Sequence, residues 1–151
     1  MFLSPHFTLG ELTKSALALR QGIDNTPTAT QIAALATLCE TVLEPVRSLV
    51  GVPIRITSGF RCAALNAAVG GSKTSAHMDG RAADIETVGM GLIEAFDVIR
   101  HSSIPYDQII QECGPEGWIH LGIAADGTAP RREMLTATGS PGAWTYTRVY
   151  V

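Results

Sequence analysis

His77 and Asp84 stand seven positions apart in the stretch SAHMDGRAAD, which packs a histidine, two aspartates, an arginine and a glycine into an otherwise apolar, alanine-rich chain. Imidazole and carboxylate are metal-ligand types. A catalytic zinc takes three ligands drawn from His, Asp, Glu and Cys and keeps a fourth position for water. A third ligand must then come from elsewhere. His6 follows a proline near the start of the chain, and His101 closes a helical pattern, where a cation meets the helix dipole favourably. Both read as structural or solvated. His120 differs, because it sits in GWIHLGI, a strand pattern in which Trp118 and His120 point to one face and Ile119 and Leu121 to the other. A core histidine satisfied by hydrogen bonds is the competing reading of that position.

The elements that must position these residues are partly legible. On one helix, seven positions would return His77 and Asp84 to one face. Gly80 and the lack of helical periodicity instead predict a loop running into a strand, AADIE, so that the two can meet by folding back. Upstream, Thr8 and Glu11 form a capping-box pattern opening a short helix that Gly22 ends. Ile32, Leu35, Leu38, Cys39, Val42, Val46 and Val50 recur at three- and four-residue steps, a buried helix face that Thr28 and Gln31 open, Pro45 kinks or shortens, and Gly51 closes. VPIRITSGFR switches to period two and reads as a half-buried strand ending in a Ser-Gly turn. CAALNAAVGG reads as a short helix. Met90–Arg100 reads as an amphipathic helix with Leu92, Ile93, Phe96 and Ile99 on one side. YDQIIQE and GWIHLGI predict two adjacent antiparallel strands, and the tail predicts strands around Gly-Ser-Pro-Gly. Helices followed by a mostly antiparallel sheet make the expected fold class α+β, as one small domain over residues 1–151.

Composition removes several function classes. A formal net charge of −3 with no basic stripe argues against a nucleic-acid binder. No run approaches the ~18 apolar residues of a membrane span, so no membrane insertion is expected. MFLSPHFTLGELTK lacks a basic leader followed by an apolar run, which predicts synthesis in the cytoplasm without a signal peptide. Cys39, Cys62 and Cys113 form no C-x-x-C pair. They read as buried thiols, with a Cys62–Cys113 disulfide the other option.

The pattern Ser75-x-His77-x-x-Gly80-x-Ala82-x-Asp84, followed by Trp118-x-His120, resembles the M15 family of zinc peptidases that act on bacterial cell-wall peptides. These include D-Ala-D-Ala carboxypeptidases and phage L-alanyl-D-glutamate endolysins. FTLGELTKS, GIDNTP, the block from LEPVRSLVGVPIRITSGFR through to His77, and DQIIQE…WIHLGI extend the resemblance over nearly the whole chain.

The resemblance implies a zinc site held by His77, Asp84 and His120, on a fold of the hedgehog and D-Ala-D-Ala peptidase type. It implies a general base near His120. Some relatives carry an acidic residue three positions before the last histidine, where this chain has Gly117, leaving Glu112 as the favoured base and Glu116 as the alternative. Arg61 in SGFR is the implied substrate-side donor, able to stabilise a developing oxyanion. Ser75 is the implied substrate or ligand-orienting hydroxyl. Gly80 is expected where the loop turns tightly and a side chain would obstruct the metal. The implied activity is hydrolysis of peptidoglycan stem peptides, as carboxypeptidase or endopeptidase, by a monomeric phage or prophage lytic enzyme. Such a protein reaches the cell wall or periplasm after release, or rides on the virion. A zinc-binding hedgehog-like module or virion component without catalysis is the alternative.

Overall fold

The computed structural model describes residues 1–150. The N-terminal part is helical. The Thr8 capping box forms, with the hydroxyl accepting from the Glu11 N–H and the Glu11 carboxylate from the Thr8 N–H, and it opens α1 (Leu9–Thr13). The chain does not continue as one helix to Gly22. Lys14 is extended and Ser15 caps a separate α2 (Ala16–Gln21), accepting from the Ala18 N–H. A serine that can satisfy a free helix-start N–H makes restarting the helix cheap. Gly22 then ends α2 in the left-handed region.

The long periodic segment forms α3 (Ala29–Leu38), a π-helical turn (Cys39–Leu43) and α4 (Glu44–Val50). Pro45 explains the interruption, since it has no N–H and its ring crowds the carbonyl one turn back. The widened turn absorbs it, with the Glu44 N–H donating to the Cys39 carbonyl. Leu35, Leu38, Cys39, Val42, Val46 and Val50 are buried as the spacing requires.

The rest of the chain is β1 (Ile54–Ser58), α5 (Ala63–Ala68), β2 (Ala82–Thr87), α6 (Leu92–Arg100), β3 (Gln108–Glu112), β4 (Trp118–Gly122), β5 (Glu133–Thr138) and β6 (Thr145–Arg148). The strands form one mixed sheet in the order β1-β2-β4-β3-β5-β6. Four pairings are antiparallel, and β5 runs parallel to β3. A long connection from Ile123 to Arg132 carries the chain back for that parallel pairing, which the strand patterns alone do not encode. On α6 the buried residues are Leu92, Ala95, Phe96 and Ile99, while Ile93 is exposed, so the helix is turned by one position from the expected face.

The sheet separates two environments. Ala83, Ile85, Ile109, Ile119 and Leu121 face the hydrophobic core against α3, α4 and α6. Asp84, Ile110, Glu112, Trp118 and His120, one position out of phase, line an open cleft. The period of two in β4 therefore decides which residues do packing and which do chemistry.

The three cysteines are free thiols, and only Cys39 is buried; Cys62 is half-buried and Cys113 exposed. The expectation of three buried thiols, or of a Cys62–Cys113 bridge, does not match this arrangement. Cys62 instead caps α5, its sulfur accepting from the Leu65 N–H. Among the described residues, no helix is long and apolar enough to cross a membrane.

Candidate metal centre

Asp84 on β2 and His120 on β4 are direct cross-strand partners, so both side chains leave the sheet on the cleft face. His77 comes from a short 3-10 turn (Ala76–Asp79) that ends at Gly80, φ +71°. All three residues are buried. Their donor atoms form a tight triangle: His120 Nδ1 to Asp84 Oδ1 3.0 Å, His77 Nε2 to His120 Nδ1 3.2 Å, and His77 Nε2 to Asp84 Oδ1 3.2 Å.

The loop carrying His77 is pinned from behind. Its Nδ1 donates to the Gly59 carbonyl at 2.7 Å, so in the neutral ring Nε2 carries only a lone pair. The Arg61 N–H donates to the His77 carbonyl, and the Gln31 side chain donates to the Met78 carbonyl. Gly80 makes the expected tight turn, but the crowding around it is not at the metal position. A Cβ there would lie 2.5 Å from the Gln31 carbonyl oxygen, so the glycine lets the loop close on α3 and does not serve to clear the metal position.

The electrostatics follow from burial. Burial pushes His77 below its ordinary pKa, against the pull of Asp84, and so favours the neutral ring. For Asp84, burial opposes ionisation, and the carboxyl falls well below the usual range only through positive charge on, and hydrogen bonds from, His77 and His120. With His77 neutral, its Nε2 and Asp84 Oδ1 are instead two acceptors face to face, and a single proton on His120 Nδ1 cannot bridge every edge of the triangle. A cation at the centre satisfies all three. Ligands ~2.0–2.2 Å from one tetrahedral centre stand about 3.4 Å apart, close to the observed edges. The donor set therefore fits a small divalent metal.

The other expected residues line the same cleft of about 1200 Å³. Glu112, at the end of β3, has its carboxyl pushed above the ordinary glutamate value by burial and by the Asp84 charge, against the pull of His120, the Trp118 indole N–H and Arg61. Arg61 follows β1. Asn25 clamps its segment, donating to the Phe60 carbonyl and accepting from the Cys62 N–H. Burial lowers the Arg61 pKa, opposed by Asp84 and Glu112. Among the described residues its Nε is buried with no hydrogen-bond partner, while the Trp118 indole N–H is turned toward Glu112 without a bond of normal geometry. An unpaired buried donor is costly, and the Arg61 Nε on this cleft is consistent with an acceptor that arrives with a ligand. Ser75 lines the cleft where the His77 turn begins.

Glu116 sits apart, exposed on a 3-10 turn (Gly114–Glu116) and outside the cleft lining. Gly117 also has a steric reason: a Cβ there would fall 1.6 Å from the Glu112 carbonyl oxygen. The tight turn between β3 and β4 leaves no room for an acidic side chain at that position.

A family model described as Peptidase M15 matches residues 5–122. The chain belongs to the peptidase M15 family. Among curated proteins, none matches it. The matched segment of this M15 domain contains every candidate site residue named above and stops at the end of β4. The hairpin β5–β6 lies beyond it, yet Pro141, Trp144 and Tyr146 line the cleft. By sequence alone these residues read as tail. The signal was the aromatic alternation Trp144-x-Tyr146, which puts both rings on one face of an extended segment.

Proposed function

We propose that this M15 domain is a zinc metallopeptidase that hydrolyses peptide bonds in peptidoglycan stem peptides. The observation that carries the reading is the lone-pair triangle of His77, Asp84 and His120 at the floor of a cleft that also holds Glu112 and Arg61. Two imidazoles and one carboxylate suit zinc and leave a coordination position open. Zinc held there supplies a Lewis acid and a water acidic enough to act as nucleophile near neutral pH.

The chain's own residues do the rest. Glu112 takes a proton from the attacking water and returns it to the leaving amine, a task suited to a carboxyl whose pKa is raised towards neutrality. Arg61, with its unpaired Nε, donates to the substrate oxygen where negative charge develops. The Gly59 carbonyl fixes the His77 tautomer so that Nε2 faces the metal position. Ser75 contributes a hydroxyl to substrate or ligand orientation. A phage or prophage lytic enzyme acting on the wall after release fits this chemistry. A hedgehog-like module would need the triangle but not Glu112 and Arg61 in the same cleft.

The test is a digest of purified, zinc-loaded protein with muropeptides, followed by mass spectrometry. Loss of a terminal D-alanine marks a carboxypeptidase, and an internal fragment marks an endopeptidase. No cleavage of any stem peptide sinks the enzymatic reading.

A further inference from the structure

The matched family segment ends at Gly122, but the cleft continues past it onto the C-terminal hairpin. Two contacts fix that hairpin over the sheet. Trp144 meets Trp118 edge-on, with ring centroids 6.1 Å apart and planes at 90°. At the hairpin tip, Pro141 reaches the opposite wall, close enough that a methyl group at Gly70 would lie 3.3 Å from the Pro141 Cβ. The tip of the outer wall is therefore braced against the sheet and against the opposite wall.

Tyr146 stands on this wall in a defined register. It pairs with Ala137 on β5, and Ala137 pairs with Glu112 on β3. Paired residues on neighbouring strands share a face. Tyr146 and Glu112 thus rise from the same face, their backbones roughly 10 Å apart, with only the Ala137 methyl between them. Ala137 is 1% exposed while Tyr146 is 51% exposed and borders the cleft. Burial and the charges of Glu112 and Asp84 all favour the neutral phenol, so the hydroxyl keeps the proton it would donate. Arg61 approaches from the β1 side of the sheet and Tyr146 from the opposite edge, with Asp84 and His120 on the strands between them.

We propose that Tyr146 is a substrate-contacting residue whose hydroxyl donates a hydrogen bond to a peptide oxygen of the bound substrate, opposite Arg61. This rests on the peptidase reading above and deepens it. The peptide backbone is held from both sides of the metal position, and the second hold comes from a strand outside the matched family segment.

The test compares zinc-loaded wild type with Tyr146→Phe, which keeps the ring and removes the hydroxyl. Zinc content and Tm should match wild type, because the side chain stands on an exposed edge strand. On muropeptides, kcat/KM should fall about tenfold, carried by a higher KM. A kcat/KM within about twofold of wild type overturns the assignment while leaving the peptidase reading intact. If wild type cuts no stem peptide, the substrate assignment fails separately. Calorimetric titration of both proteins with the same muropeptides then decides the role of Tyr146. Weaker binding by the variant supports it, and equal binding, or none to either protein, overturns it.

Discussion

His77 Nε2 and Asp84 Oδ1 face each other at 3.2 Å with no proton of their own to share. The Gly59 carbonyl takes the only proton of the neutral His77 ring, and Asp84 is ionised. Such a pair needs positive charge between its atoms, which a metal cation or a second proton on His77 supplies. His77→Ala should therefore lose stoichiometric zinc, falling from about one metal per chain to a trace by elemental analysis. Zinc occupancy that survives this substitution would show that the ligand set is wrong.

Glu112→Ala should lower turnover by about 10²–10⁴-fold, the usual contribution of a positioned acid–base group, while zinc stays bound. Glu116→Ala should leave turnover unchanged, because Glu116 lies outside the cleft. A base works ionised, and burial raises the Glu112 pKa above its ordinary value. Activity should then fall as pH drops through an acid limb lying above the usual glutamate range of about 4.3. Full activity in Glu112→Ala, measured beside its zinc content, would remove Glu112 from the mechanism.

Gly80→Ala should destabilise the chain. The position has φ +71°, and the added Cβ meets the Gln31 carbonyl oxygen at 2.5 Å. Left-handed backbone plus overpacking costs about 2–3 kcal/mol, which lowers Tm by roughly 4–12 °C for a chain of this size. Because the loop between His77 and Asp84 would shift, zinc affinity should fall with it. An unchanged melting curve would show that α3 does not hold the loop.

Asp107 ties the start of β3 to the approach of β5. Burial resists its ionisation, but hydrogen bonds from the Arg131 side chain, at 2.6 and 3.0 Å, and from the Arg131 backbone, at 2.8 Å, hold its carboxyl below the usual range. A lowered folded pKa means stability that is present above the ordinary aspartate pKa of about 3.9 and is lost as pH falls through the folded value. Asp107→Asn should cost about 1 kcal/mol at pH 7, a modest figure because Arg131 is solvent-exposed. The gap from wild type should close in acid. Denaturant melts at pH 7 and pH 3 that show the same gap would refute this.

Much of the site was legible because its signals are local. The spacing of His77 and Asp84, the alternation around His120 and the threonine caps each involve residues a few positions apart. The split of α1 from α2 hung on Ser15, a cap no stronger in sequence than many uncapped serines. The parallel pairing of β5 with β3 and the reach of Trp144 and Tyr146 into the cleft depend on a long connection whose path no local pattern encodes. Ile93 was misplaced because position 93 lies beside the buried stripe, and packing against the sheet selected Ala95 in its stead. The role of Gly117 emerged only from the turn it permits, since steric exclusion by the Glu112 carbonyl is a tertiary fact.

The most direct measurement is stem-peptide cleavage by wild-type protein before chelation, after chelation, and after zinc is restored. Untreated protein should yield shorter peptides, chelated protein none, and about one equivalent of zinc should restore cleavage. Cleavage that persists in the chelated protein, or that zinc does not restore to a chain still folded, would contradict the zinc-peptidase reading.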